Sequence, residues 1–263
     1  MRIKDRVIWI TGASSGIGEA LAYKLSTQGN TLILSSRKEE DLLRVREHCE
    51  HPGRVMVLPL DLGRSEKMEA ITDTAIKMAG RIDMLINNAG VSQRSLISET
   101  SLHVYRELME VNYLGTLALT KALLPHFIEK GGGHFVTVTS LMGRFGSPLR
   151  SGYCAAKHAL HGFFDVLRME HEKDGVNVTL ICPGFVRTRV AYNALTADGS
   201  SQGVNDKATG EGMRPEVFVR KMIRAIERGK FEAYIGGREV SGIYLKRFFP
   251  RLLHKVVLRS RVV

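Results

Sequence analysis

The chain has 263 residues, 44% of them hydrophobic and 25% charged, a composition that excludes intrinsic disorder and collagen-like repeats. Three scattered cysteines, Cys49, Cys154 and Cys182, exclude a disulfide framework and a four-cysteine zinc site and fit a reducing, cytoplasmic compartment. The formal charge of +11 is unevenly spread: residues 238–263 carry Arg238, Lys246, Arg247, Arg251, Lys255, Arg259 and Arg261 against Glu239 alone, more than half of the surplus in the last tenth of the chain.

Short apolar runs predict strands at Val7–Thr11, Thr31–Ser35, Val55–Leu60, Met84–Asn87, His134–Thr139, Val176–Cys182 and Ala233–Ile235. Most lack polar alternation, as strands covered on both faces do. Helical patterns fall between them at about 17–28, 39–49, 65–80, 101–130, 151–173 and 215–228. This alternation predicts an α/β fold, a Rossmann-type doubly wound parallel sheet of seven strands flanked by helices. Residues 1–240 read as one nucleotide-binding and catalytic domain, with a mobile substrate loop at about 190–214, and 241–263 as a basic amphipathic extension. No run reaches the ~18 residues of a membrane span. Val7–Ile10, after the charged start, is too short for a signal peptide.

The first strand runs into Thr11-Gly12-Ala13-Ser14-Ser15-Gly16-Ile17-Gly18 and then a helix. Glycines there let a pyrophosphate approach the backbone, and the helix start offers it free N–H groups and a positive dipole end. A turn of small residues that binds nothing is the plain alternative. The second strand ends Ser35-Ser36-Arg37-Lys38, where an NAD-binding chain would carry an acidic residue. Arg37 instead suits a 2′-phosphate, so the expected cofactor is NADP(H).

Tyr153 and Lys157 are four apart on a predicted helix and share a face. A free tyrosine is a poor base, with a pKa of about 10. A cation ~4 Å away opposes that by up to ~4 kcal/mol at a dielectric of 20, before desolvation is counted. Ser140 closes the fifth strand at the carboxyl edge, where ligands bind in open α/β sheets. Its hydroxyl is placed to bond the carbonyl oxygen that Tyr153 protonates; the plain alternative is a serine bonding its own backbone.

With these residues assembled, the chain resembles the short-chain dehydrogenase/reductase family in its single-domain form, and its membrane-associated branch in the basic tail. Thr11, Gly12, Gly16 and Gly18 meet the glycine pattern; Asn87-Asn88-Ala89-Gly90, Asn112, Ser140, Tyr153-Cys154-Ala155-Ala156-Lys157, Pro183-Gly184 and Thr188 follow in order. The resemblance covers about residues 5–240. It implies an oxidoreductase that interconverts a carbonyl and an alcohol by hydride transfer from NADP(H). Tyr153 would be the proton donor and acceptor, Lys157 would lower its pKa and hold the nicotinamide ribose, and Ser140 would orient the substrate. Asn112 would hold a water linking Lys157 to solvent. Gly12, Ser14, Ser15, Gly16, Ile17, Gly18, Arg37, Asp61, Leu62, Asn88, Ala89, Gly90, Pro183, Gly184, Val186 and Thr188, with Tyr153 and Lys157, would contact the cofactor. A non-catalytic NADP(H)-sensing regulator or scaffold is the alternative.

The substrate pocket is expected to be lined by Met142, Phe145, Phe185 and Tyr192, with 196–214 as a lid, which favours a hydrophobic ketone, aldehyde or lipid-like substrate. Helices 101–130 and 151–173 are expected to pair subunits in a homodimer or homotetramer, as in similar proteins. His158 and His161 have metal-binding spacing but no third ligand nearby, so no metal is expected. Cys154 should point away from the catalytic face, and Cys182 reads as core. Pro250 starts a predicted helix whose stripe is Leu252, Leu253, Val256 and Val257. Such a basic amphipathic helix, with Phe248 and Phe249 before it, reads either as a peripheral contact with the inner membrane surface or as a tail packed on its own domain or on a partner subunit. Nucleic acid is not expected as a partner, since no binding motif accompanies the charge.

Overall fold

The computed structural model describes residues 2–260. Its strands are β1 (Val7–Thr11), β2 (Thr31–Ser35), β3 (Val55–Val57), β4 (Met84–Asn87), β5 (Gly133–Val138), β6 (Val176–Pro183) and β7 (Glu232–Ile235). They form one sheet in the order β3-β2-β1-β4-β5-β6-β7, every pair parallel. β3 stops three residues short of the expected end. Pro59 has no N–H for the ladder, although Leu58 and Leu60 still donate to Leu34 and Ser36 carbonyls of the β2 segment.

The helices are α1 (Gly16–Ser26), α2 (Glu39–Glu47), α3 (Met68–Ala79), α4 (Leu102–Met109), α5 (Gly115–Glu129), α6 (Ser151–Glu170), α7 (Lys207–Gly210), α8 (Pro215–Glu227), α9 (Ser241–Phe248) and α10 (Pro250–Arg259). Residues alternate between the faces of the sheet. Ile8, Ile10, Leu32, Leu34 and Ile86 pack with Leu21, Leu25, Phe218 and Met222 of α1 and α8. Trp9, Ile33, Leu85 and Phe135 pack with Leu119, Leu123, Leu160 and Phe164 of α5 and α6. The sheet is therefore covered on both sides.

The order reverses beside β1, whose register sets Thr11 opposite Ser35 and Ile10 opposite Ile86. The carboxyl ends of β1, β2 and β4 thus open onto one crevice, where ligands of open α/β sheets bind. The helix expected over 101–130 is broken by a π-turn at Glu110–Leu114. Such turns mark functional sites more often than plain helix does, and this one carries Asn112.

Candidate active site

The turn after β1 is built around backbone positions that only glycine fills. Gly12 has φ +64, and a Cβ there would lie 2.8 Å from the Ala89 Cα; Gly16 has φ +59, and its Cβ would meet the Thr188 methyl at 2.9 Å. Both take the left-handed conformation that costs other residues about 1–2 kcal/mol. Thr11 Oγ1 accepts from the Asn88 and Ala89 amides, both at 3.1 Å. Asn88 Nδ2 donates to the carbonyls of Thr11 at 3.0 Å and Gly12 at 3.1 Å. The side chain of Asn88, expected to contact the cofactor, is thus spent on bracing the turn.

The remaining cradle residues lie around the same crevice. Ser14 and exposed Ser15 form the turn, with Ile17 and Gly18 in the first turn of α1. Asp61 keeps its carboxylate on the Gly63 amide, and Leu62 packs into the core. A Cβ on Gly90 would lie 2.6 Å from Asn112 Oδ1. Arg37 is exposed at the end of β2 with no hydrogen bond or ion pair among the described residues. Arg44, which the sequence did not single out, reaches over the turn from α2 to the Ser14 carbonyl at 2.9 Å while paired with Glu19. A bare-backbone cradle of this kind fits the pyrophosphate of a dinucleotide.

Ser140 follows β5 with extended backbone, and its Oγ accepts the Met142 amide at 3.1 Å. It lines the same cavity as the Tyr153 side chain. Tyr153 sits in the first turn of α6, which is capped from a distant segment: Gln93 Oε1 accepts the Gly152 amide at 2.7 Å and the Tyr153 amide at 3.3 Å. Lys157 is one turn further on, 5.8 Å from the Tyr153 ring centre, and its Nζ donates to the Val138 carbonyl at 2.9 Å. Burial pushes the Lys157 ammonium down to about 8. Burial also raises the Tyr153 phenol, opposed by the Ser140 hydroxyl and by Arg94 and Arg150. Desolvation outweighs the cations here.

Asn112 uses its amide to tie the site together. Nδ2 donates to the Val91 and Leu108 carbonyls, both at 3.0 Å, and Oδ1 accepts the Val91 amide at 3.0 Å. It thereby fixes the segment after β4 to the end of α4.

Ser140 and Tyr153 face a cavity of about 80 Å³ with Ser92, Met142, Arg150, Phe185, Val190 and Glu239 among its walls. A larger hollow of about 390 Å³ lies at the opposite edge of the sheet, lined by Arg6, Arg81, Lys130 and His134, away from these hydroxyls. Two expected wall residues are elsewhere. Phe145 packs with Leu141, Cys182 and Leu253 beneath the tail, and Tyr192 stacks under the Arg189 guanidinium at 4.9 Å. Glu239 closes the far wall: its Oε1 accepts the Phe185 amide at 3.1 Å, and a Cβ on Gly184 would lie 2.1 Å from that oxygen. Pro183 ends β6 there, Val186 is buried, and the Thr188 hydroxyl accepts the Val190 amide at 3.3 Å.

Most of the expected lid is tied down. Leu195 donates to the Ser92 carbonyl and accepts from the Arg94 amide, and Ala197 accepts from the Ser101 amide. Asp206 is the anchor. Arg94 donates to it through Nε, at 3.2 and 3.0 Å, and through Nη2; Arg150 Nη2 adds a contact at 3.2 Å, and Gln202 and Thr209 two more. Burial alone would raise the Asp206 carboxyl, but the Arg94 hydrogen bonds and charge hold it below its usual range. Burial and the like charge of Arg94 lower the Arg150 guanidinium from its ordinary value, opposed by Asp206, and it stays charged as arginines in proteins do.

Behind the site, His161, Cys182 and Glu232 come within 4.8 Å of one another. The second and third members arrive from β6 and β7, which is why the spacing of His158 and His161 did not show them. Arg144 grips both Glu232 oxygens, at 2.8 and 2.6 Å, and supplies the countercharge. Cys182 is fully buried in the core, as expected, and donates to Glu232 at 3.2 Å; burial and the Glu232 charge push its thiol up and keep it neutral. The tail divides the expected stripe: Leu253 is buried and Val257 packs beside it against Leu141 and Phe145, while Leu252, Val256, Phe248 and Phe249 are exposed. Arg261 lies outside the described residues. Among the described residues no helix is long and apolar enough to cross a membrane.

A glycine-turn nucleotide cradle beside a Ser–Tyr–Lys set on a doubly wound sheet defines an oxidoreductase class, and the short chain dehydrogenase family profile matches residues 6–198. The chain belongs to the short-chain dehydrogenase/reductase family. It is 44% identical over 255 residues to human dehydrogenase/reductase SDR family member 7, covering 94% of this chain and 75% of that protein. A short-chain dehydrogenase from Streptomyces avermitilis superposes with a TM-score of 0.82 at 27% identity, covering 97% of this chain and 98% of that one. A Burkholderia phymatum short chain dehydrogenase/reductase, solved in complex with NAD, superposes with a TM-score of 0.84 at 23% identity over 100% of this chain and 98% of its own; at that identity the likeness concerns the fold.

Proposed function

We propose that this oxidoreductase uses NADP(H) to interconvert a carbonyl and a secondary or primary alcohol, acting on a hydrophobic ketone, aldehyde or lipid-like substrate. The observation that carries the reading is the placement of Ser140 and Tyr153 on the wall of one cavity, with the buried Lys157 ammonium one turn away. The glycine turn, Arg37 and the segment Pro183–Thr188 would hold the cofactor, whose nicotinamide supplies the hydride when bound. NADP(H) over NAD(H) is supported by the exposed Arg37, unpaired among the described residues, where an acidic residue would otherwise bind the ribose.

The chain's own residues then manage the oxygen and the proton. Ser140 donates a hydrogen bond to the substrate oxygen and orients it. The Tyr153 O–H gives its proton to that oxygen as the C–O bond gains charge, and takes it back in oxidation. Burial, which favours the neutral phenol, suits the donor role. Lys157, with a pKa near 8, stabilises the phenolate left behind and is close enough to working pH to exchange a proton with it. Leu141, Met142, Pro183, Phe185, Val186 and Val190 exclude water from the reacting oxygen.

The test is NADPH oxidation, followed by absorbance, against a panel of ketones and aldehydes, with Tyr153→Phe alongside. Turnover that vanishes in the variant while NADPH still binds is the expected result. Turnover retained in Tyr153→Phe, or no binding of either nicotinamide cofactor, overturns the reading. The proposal extends to assembly and location. Leu114, Val166 and Met169 are exposed on the π-turn and α6, a face suited to a homodimer or homotetramer that light scattering would detect. The exposed apolar side and the cations of α9 and α10 favour a peripheral contact with an anionic membrane surface from the cytoplasm. Liposome flotation with and without residues 243–263 tests it.

A further inference from the structure

The charge cluster at the head of α6 has no part in the chemistry above, yet it is buried deeply. The Asp206 side chain has no exposed surface, and those of Arg94 and Arg150 keep 6% and 5%. Burying such a cluster is a poor way to gain stability, because apolar residues of similar volume often do as well. Its position is informative instead. Arg150 precedes Tyr153 by three residues and lines the same cavity. Arg94 reaches the cluster from the segment whose Gln93 caps the Tyr153 amide. Asp206 comes from the substrate loop, 112 residues from Arg94 in sequence. Two guanidiniums and one carboxylate leave a single positive charge beside the phenol.

We propose that Arg94, Asp206 and Arg150 form a positioning device for Tyr153, in which Asp206, carried on the substrate loop, sets the net charge felt by the phenol and holds the first turn of α6 in place. This rests on the reading of Tyr153 as the proton donor. The groups around the tyrosine are few. From α6 come Cys154 and Lys157, the latter engaged with the Val138 carbonyl. From the end of β5 comes the Ser140 hydroxyl, and from the far wall the Glu239 carboxylate, which is held by the Phe185 and Gly237 amides. Arg94 and Arg150 both favour the phenolate against burial, whereas Cys154 opposes it.

The device makes a prediction of sign that a merely structural role does not. Asp206→Asn raises the cluster's charge to +2 and lowers the Tyr153 titration midpoint. Arg150→Gln reduces it to zero and raises the midpoint. The double variant restores +1 and titrates close to the native protein. Each single shift is on the order of one pH unit at an effective dielectric of 20. The readout is the carbon-13 resonance of Cζ in tyrosine-labelled full-length protein, with Tyr153 assigned among the seven tyrosines by Tyr153→Phe. It needs no substrate, so it separates this proposal from the one on activity: an inactive protein with opposite-signed shifts sustains it, and an active protein without them does not. Should Asp206→Asn fail to fold, Arg150→Gln and the double variant still decide. Shifts of the same sign in both singles, no shift in Arg150→Gln, or a double variant displaced further than Arg150→Gln overturns the proposal.

Discussion

Replacing Arg37 by Ala removes the guanidinium that, on the reading proposed above, the end of β2 offers to a 2′-phosphate and leaves Lys38 in place. The guanidinium is exposed and unpaired among the described residues, so its loss exposes no buried partner and should leave folding unchanged. A hydrogen bond to a charged group contributes about 1.5–3 kcal/mol. Solvent screening at an exposed site puts this contact at the low end, and ~1.4 kcal/mol is a tenfold change in Kd. NADPH should therefore bind about tenfold more weakly to Arg37→Ala by fluorescence titration. NADH, which has no phosphate there, should change by less than ~2-fold. Salt gives an independent check, since the screening length falls from about 10 Å at 0.1 M to about 3 Å at 1 M. The native preference for NADPH should shrink over that range, and the variant's should stay flat. Equal losses for both cofactors, or none for NADPH, would refute the assignment of Arg37.

Three further outcomes follow from particular contacts. Gly16→Ala puts a methyl group at φ +59 and 2.9 Å from the Thr188 methyl; it should cost about 1–2 kcal/mol, read as a fall of a few degrees in Tm with weaker NADPH binding, and an unchanged Tm would count against it. His134 is buried, with Nε2 on Thr179 Oγ1 at 2.9 Å, and burial pushes it down to about 4. Its folded pKa lies below the ordinary ~6.5, so its contribution is complete above that pH and is lost as pH falls towards 4. Between pH 7 and pH 5 the native protein should lose about 2 kcal/mol more unfolding free energy than His134→Gln, and equal losses in urea titrations would contradict this. Gln93→Ala strands the Gly152 and Tyr153 amides, at about 1–3 kcal/mol; kcat should fall more than KM rises, and the reverse would mean that Gln93 acts on substrate binding.

The layout of the sheet was legible because each strand is a short apolar run and each helix a longer periodic one. Five strand starts agree to the residue, and the expected β5 and β7 begin one residue late. The glycine turn and the Tyr153–Lys157 pair were legible because their chemistry depends on spacings within a single turn. The rest depends on contacts between distant segments. Asn112 breaks a helix through its bonds to Val91, 21 residues away. Gln93 caps α6 across about 60 residues. Phe145 is aromatic and close to Ser140 in sequence, which made it a reasonable pocket wall, but the tail offered it a deeper apolar contact through Leu253. A local pattern cannot show such competition among burial sites.

The same contacts move the expected gate. A cavity of about 80 Å³ is small beside the ~300–1,000 Å³ of ordinary ligand pockets, so a substrate enters only if a wall yields. The glycine- and serine-rich stretch 196–214 looked mobile from its composition, yet Leu195, Ala197 and Asp206 pin its first half to the segment after β4 and to the head of α6. The stretch 187–193 is held differently. Val190 is 40% exposed while lining the cavity. The ties of this stretch are neutral ones: the Val190 amide on the Thr188 hydroxyl, the Asn193 amide on the Arg189 carbonyl, the Arg187 amide on the Met213 carbonyl, and Tyr192 joined to Asn205 and Gly203. Opening there breaks uncharged hydrogen bonds, whereas opening at Asp206 would strand buried charge, which costs far more. Native-state hydrogen exchange should therefore show amides of 187–193 exchanging faster than those of 195–206 in the free protein, with NADPH slowing the first set because Thr188 borders the Gly16 turn. Faster exchange in 195–206 would mean that the Asp206 anchor opens in solution, and would return the gate to the segment that composition alone indicated.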